Sequence, residues 1–104
     1  MWFAVSSFFK CKCIHPEHPD DESLWEERIF LIQAETEEGA RQEGERICKV
    51  EEHEYVSATG DLVQWIFQQV ASVSEIYSLE PGSELFSRFL KKQEVDSLLT
   101  NFKE

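Results

Sequence analysis

Apolar residues recur with a period of two at the start of the chain. Phe3, Val5, Ser7, Phe9 and Cys11 fall on one face, and Trp2, Ala4, Ser6, Phe8 and Lys10 on the other. This pattern predicts a strand over Trp2–Cys13 with aromatics on both faces. Ile14 to Glu22 holds two prolines and no period, so it reads as a loop. A second strand is expected from Leu24 to Glu35, polar at alternate positions early and apolar on both sides late, which predicts burial of its end. Thr36 is placed as a helix N-cap, followed by Glu37 and Glu38 at the positive end of the helix dipole. The helix is expected to run to about Tyr55. Ala40, Gly44, Ile47, Cys48 and Glu51 form its inner stripe, and Glu43, Glu45, Arg46, Lys49 and Glu52 its solvent side. Gly39 and Gly44 each cost a helix about 1 kcal/mol relative to Ala, which is best explained by close approach to a sheet.

Beyond a turn at Thr59-Gly60-Asp61, the stretch Leu62–Tyr77 reads as a strand. Its 16 residues exceed the usual strand length of roughly 3 to 10, so a bulge or bend is expected near Gln69 to Ser72. Glu80-Pro81-Gly82-Ser83 is a turn, Glu84–Leu90 reads as a short strand, and Val95, Leu98, Leu99 and Phe102 mark one face of a short C-terminal helix. The expected fold is α+β, a single domain over residues 1–104. It is an antiparallel sheet of about four strands with one long helix and a short C-terminal helix, in the order β-β-α-β-β-α.

Composition limits the function. A hydrophobic fraction of 41%, with eight Phe, three Trp and two Tyr, is enough apolar surface to offset the chain entropy lost on folding. No run approaches the roughly 20 apolar residues of a membrane span, and the opening Met1 to Phe9 lacks the basic flank and small-residue cleavage site of an export signal. Three cysteines, Cys11, Cys13 and Cys48, are too few and odd in number for a disulfide framework, so a reducing, cytoplasmic setting is expected. The formal charge is −11. Fourteen acids and four bases lie between Glu17 and Glu54, against seven acids and six bases elsewhere. Such a chain is a poor binder of nucleic-acid phosphates, whose recognition depends on Lys and Arg. A basic protein partner is compatible with it.

The chain as a whole resembles a family of short bacterial proteins known as domain of unknown function 4288. The segments that carry the resemblance are Trp2-Phe3-Ala4-Val5, Leu24-Trp25-Glu26-Glu27-Arg28-Ile29-Phe30-Leu31-Ile32-Gln33-Ala34-Glu35 leading into an acidic helix, Thr59-Gly60-Asp61, and Glu84-Leu85-Phe86-Ser87-Arg88. The resemblance implies a fold family of bacterial origin without an assigned activity.

Three constellations bear on chemistry. Cys11, Cys13, His15 and His18 put four zinc-type ligands within eight residues. A strand would hold the two thiols about 7 Å apart on one face, a poorer start than the familiar C-x-x-C knuckle. Cys48 and His53 could form a thiolate–imidazole pair, but five residues on one helix leave them about 140° apart. Paired carboxylates, such as Glu26-Glu27 and Glu51-Glu52, read as a solvated face. Phosphate-loop, nucleophile-elbow, H-E-x-x-H and C-x-x-C elements are absent from the sequence. No cofactor and no catalytic activity are expected.

The aromatics favour an interface. Trp2, Phe8, Trp25, Trp65 and Phe67 lie on strands with two apolar faces, and two helices are too little to cover both. With Glu26 and Glu27 they form the expected partner-binding set, for another protein or a second copy in a homodimer, without nucleic acid or membrane. The leading reading is a small acidic interaction module. The alternatives are an immunity- or inhibitor-type protein that blocks a basic nucleic-acid-handling partner, and a metal-binding protein using Cys11 to His18.

Overall fold

The computed structural model describes residues 1–14 and 24–101. Its elements are β1 (Trp2–Ile14), β2 (Trp25–Gln33), α1 (Glu37–Val50), β3 (His53–Val56), β4 (Leu62–Ile76) and α2 (Lys92–Asn101). The four strands form one antiparallel sheet in the order β2-β1-β4-β3. The expected α+β class and the β-β-α-β-β-α order are both present.

β1 is central because it is the most apolar strand. Phe3, Ala4, Val5, Ser6, Ser7 and Phe9 are all buried along it. Opposed residues of an antiparallel pair share a face, so the register assigns the two sides. Phe3 lies between Ile32 and Glu75, and Val5 between Phe30 and Val73. This is the side α1 covers. Phe3, Val5, Ile32 and Ala40 form the core there, with Phe30, Ala34, Ile47, Val70 and Val73 packed around them. Burying a Val, Ile or Phe side chain contributes about 1.5–3 kcal/mol.

Gly44 sets how closely α1 sits on the sheet. A Cβ at that position would lie 2.7 Å from Val5 Cγ1 and 3.3 Å from Val5 Cβ, so a side chain would hold the helix away from β1. Gly39 plays a different part from the one expected. It sits in the first turn, where its N–H donates to Thr36 Oγ1 (3.0 Å) and its nearest neighbours are Thr36 and Ala34. Thr36 is extended (φ −136°, ψ 159°) and is the N-cap as expected.

β4 keeps its 15 residues in one strand by bulging. Its register against β1 slips between Ser6 and Ser7, where Ala71 is skipped, and again between Phe8 and Phe9, where Gln68 is skipped. Both slips lie at or beside the bend expected near Gln69 to Ser72.

Three features of the elements differ from expectation. α1 ends at Val50, and His53–Val56 form β3 against β4 instead of continuing the helix. Glu45, Glu51, Glu52 and Glu54 crowd the negative end of the helix dipole, while Tyr55 and Val56 suit a strand. Glu84–Leu90 joins no ladder among the described residues; it lies over a face of the sheet, where Leu85 shares a groove with Ile29 and Leu31. The end of β2 is buried on one side only. Ile32 is 2% exposed, yet Ile29 is 49% and Leu31 54% exposed, since β2 is an edge strand and α1 covers one face.

α2 stands apart. Among the described residues none of its Cα atoms lies within 8 Å of a strand or of α1. The radius of gyration, 16.5 Å, exceeds the roughly 13 Å of a compact chain this long.

Candidate functional site

Among the described residues, the sheet face opposite α1 has no helix over it. Ala4 and Ser6 of β1 and Ile76 of β4 form its buried floor. Trp2, Phe8, Trp25, Glu27, Ile29 and Leu31 share this face by register. Its cover is the run between β4 and α2, which forms neither helix nor strand. Glu80 to Ser83 make a turn in which Ser83 N donates to Glu80 O (3.0 Å), Glu80 N donates to Ser83 Oγ (3.1 Å) and Gly82 supplies φ +92°. Leu79 and Leu85, on either side of that turn, reach the face. With Ala4, Ile29, Leu31 and Ile76 they line an apolar groove of about 190 Å³.

A polar pair pins the run at the sheet edge. Arg88 Nη1 lies 3.1 Å from Glu27 Oε1, and the other oxygen of Glu27 accepts a hydrogen bond from the buried Ser6 hydroxyl. Glu27 is therefore a structural carboxylate, held from two sides. The groove remains half open: Leu79 is 48%, Leu85 56% and Phe89 fully exposed.

The expected partner-binding residues divide between the two faces. Trp2, Phe8, Trp25 and Glu27 are on the open face; Trp25 is 55% exposed, with Lys10 Nζ 5.9 Å from its ring centre. Glu26, Trp65 and Phe67 are on the α1 side. Phe67 packs its ring at 5.8 Å and 58° to that of Phe9, and Trp65 lies between Cys11 and His53. Also on that side, Arg28 stacks between Phe9 and Phe30, 5.0 Å from each ring centre, and pairs with Glu51 (3.3 Å) and Glu26 (3.7 Å). Its charge sits near the carbonyl end of α1, where a cation is favoured.

The sequence profile of the family described as Domain of unknown function (DUF4288) matches residues 2–87. The chain belongs to this family. The match takes in all four strands and α1 and ends before α2. No curated protein and no solved structure matches the chain. The family's description carries no activity, so the chemistry rests on the residues of this chain.

Cys11 and Cys13 are half-buried on the α1 side, opposite Trp65 and Val63, and Cys11 N donates to Leu24 O (2.8 Å). His15 and His18 lie outside the described residues. Among the described residues, no three His, Cys, Asp or Glu side chains are grouped to hold a metal ion. Cys48 is fully buried under α1. Burial pushes its thiol pKa up, against smaller opposing effects of the Ser7 hydroxyl and the Arg28 charge. The Ser7 approach falls short of hydrogen-bond geometry, so Ser7 Oγ is a buried hydroxyl without a partner among the described residues. A thiol so placed is a poor nucleophile. His53 belongs to β3, stacks on Tyr55 and turns Nδ1 to the Glu51 carbonyl at 3.2 Å.

The carboxylates around a second hollow are also occupied. Glu52 accepts from Phe67 N (3.1 Å) and Glu54 from Gln64 Nε2 (2.8 Å), in a depression of about 220 Å³ that includes His53 and Trp65. Ile29, Leu31, Leu79 and Leu85 were not among the expected site residues. The doubled apolar pattern at the end of β2 was the available signal, and it reads equally as a strand buried on both faces.

Proposed function

We propose that this protein is a non-catalytic binding module, set in a reducing cytoplasm, that docks another polypeptide on the open sheet face. The observation that carries the reading is the half-open apolar groove over Ala4 and Ile76, rimmed by exposed Ile29, Leu31, Leu79 and Leu85. Exposed apolar surface gathered in this way marks interaction sites in soluble proteins. The test pairs Leu31→Glu with Glu38→Lys on the solvent side of α1, with association followed by sedimentation. Loss of association with Leu31→Glu alone supports the open face, and equal association in both variants refutes it.

A second reading has one observation of its own. The exposed side of α1 begins with Glu37 and Glu38 and continues through Glu43 and Glu45, which suits a basic partner steered by charge. Association lost with Glu38→Lys and with added salt would select it.

A further inference from the structure

We infer that two copies of this chain associate along their β2 edges and exchange C-terminal arms, each α2 lying in the open groove of the other copy. The inference rests on the open-face reading above and names the occupant of that face.

The chain carries two apolar surfaces that do not meet within one molecule. One is the groove. The other is the stripe of Val95, Leu98 and Leu99 on α2. Val95 is 38% and Leu99 56% exposed, and half-buried Leu98 shares a shallow hollow with Arg88 and Leu90 of the arm that leads to it. At ten residues, α2 is shorter than the roughly 12–15 residues at which an isolated helix becomes even marginal in water. Such a helix depends on a surface to pack against, and among the described residues its own fold offers no other helix or strand within 8 Å.

The anchor decides between folding back and crossing over. Arg88 is fixed to Glu27 on the edge strand β2, and only Phe89, Leu90 and Lys91 lie between it and α2. Leu85 lines the groove with Ile29 and Leu31 while Arg88 reaches Glu27, farther along β2, so the run is leaving its own groove before α2 begins, and a return would take a reversal within those three residues. They contain no glycine or proline to favour such a turn. Continuing along β2 instead keeps α2 beside that edge, where a copy paired antiparallel across a two-fold axis would bring the Ile29 and Leu31 rim of its own groove alongside. Phe89, fully exposed, then lies at the crossing point.

The outer edge suits this arrangement. Among the described residues β2 pairs with β1 on one side only, over nine residues, and a long unpaired edge is a template for a further strand. Charge agrees with it as well. The crossing arm carries Arg88 and Lys91, and on the face it crosses the edge strand carries Glu27.

The experiment has two arms. Sedimentation equilibrium at tens of micromolar and physiological salt is expected to give roughly twice the 12.2 kDa chain mass. The Val95→Glu/Leu99→Glu variant is expected to sediment at the single-chain mass with the wild-type thermal transition. A wild-type monomer overturns the inference. A dimer that survives Val95→Glu/Leu99→Glu overturns the arm exchange but leaves the open-face reading, which Leu31→Glu tests separately. The second arm uses a Cys11→Ser/Cys13→Ser background, with Leu98→Cys on one preparation and Leu31→Cys on another. Oxidation of the mixture is expected to yield a covalent pair that neither preparation forms alone. If a chain carrying both substitutions instead closes a disulfide within itself at single-chain mass, α2 packs on its own groove and the exchange is wrong.

Discussion

Gly44→Ala tests the contact on which the helix–sheet packing depends. The perturbation is one methyl group, and two opposite effects act on it. Ala is favoured over Gly inside a helix by about 1 kcal/mol. Against this, the new Cβ would sit 2.7 Å from Val5 Cγ1, 3.3 Å from Val5 Cβ and 3.6 Å from Val5 Cγ2. Val5 cannot yield easily, since it is β-branched, has no exposed surface and lies on the central strand. Overpacking costs about 1–3 kcal/mol in general, and a 2.7 Å contact with a side chain that cannot move belongs to the upper part of that range, about 2–3 kcal/mol. The steric effect wins, with an expected net loss of about 1–2 kcal/mol. At roughly 4–8 °C per kcal/mol for a domain near this size, the melting temperature should fall by about 5–15 °C. Urea unfolding followed by tryptophan fluorescence measures the loss, and an unchanged m-value confirms that the folded state is its origin. The decisive control is a double-mutant cycle with Val5→Ala, which removes the Cγ1 methyl that the new Cβ would strike. A coupling of about 1 kcal/mol or more is expected, so that Gly44→Ala is harmless once Val5→Ala has been made. Stability raised by Gly44→Ala, or a coupling near zero, would mean that α1 does not rest on Val5 and that Gly44 is there for another reason.

Four further outcomes are expected. Thr36→Ala removes the acceptor of the Gly39 N–H and should lower stability by about 1 kcal/mol, read by the same urea titration. Alkylation followed by peptide mass spectrometry should label Cys11 and Cys13 in the native protein and Cys48 only on unfolding. Because burial raises the Cys48 pKa in the folded state, the unfolded thiol ionises first, and stability should decline as pH rises above the usual thiol range; an unchanged unfolding midpoint there would contradict it. Arg88→Ala should change global stability by less than about 1 kcal/mol, as the pair is partly exposed. It should nevertheless speed amide hydrogen exchange across residues 84–91, and no change there would mean that Arg88 does not pin the arm.

The elements that were legible are those whose local signals agree with their environment. Thr36 with Glu37 and Glu38 marked the start of α1 because a cap acts over three residues. The bend in β4 was readable from length alone. The end of α1 was not, since the inner stripe continues to Glu51 and only the accumulation of acids at the carbonyl end and the strand preference of Tyr55 and Val56 stop it. Glu84–Leu90 shows the opposite failure. Its residues suit a strand, but here its apolar side chains pack on a face of the sheet, so the backbone lies over that face and not in line with an edge.

The same limit explains why the expected binding residues divided between two sides. Period two separates the faces of a single strand and says nothing about which face a helix will cover; that depends on register between strands and on slips such as those at Ala71 and Gln68. Two slips in β4 restore the original parity, so Trp65 and Phe67 return to the side of Phe9 while Ile76 shares the side of Trp2. The aromatics on the α1 side then contact neighbours that already occupy them, Phe9 for Phe67 in particular. On the other side the exposed apolar residues of the groove are aliphatic, and the helix that could complement them is tethered in the same chain beyond Arg88. That sets the charge in a different light: the acids Glu37, Glu38, Glu43 and Glu45 ride on α1, on the far side of the sheet from the groove. Copies joined along β2 therefore keep these acids away from the groove that α2 enters, and salt screening beyond about 8–10 Å weakens the remaining repulsion. If raising the salt concentration instead weakened the dimer, attraction between Arg88 or Lys91 and the β2 acids would outweigh apolar burial in holding the copies together.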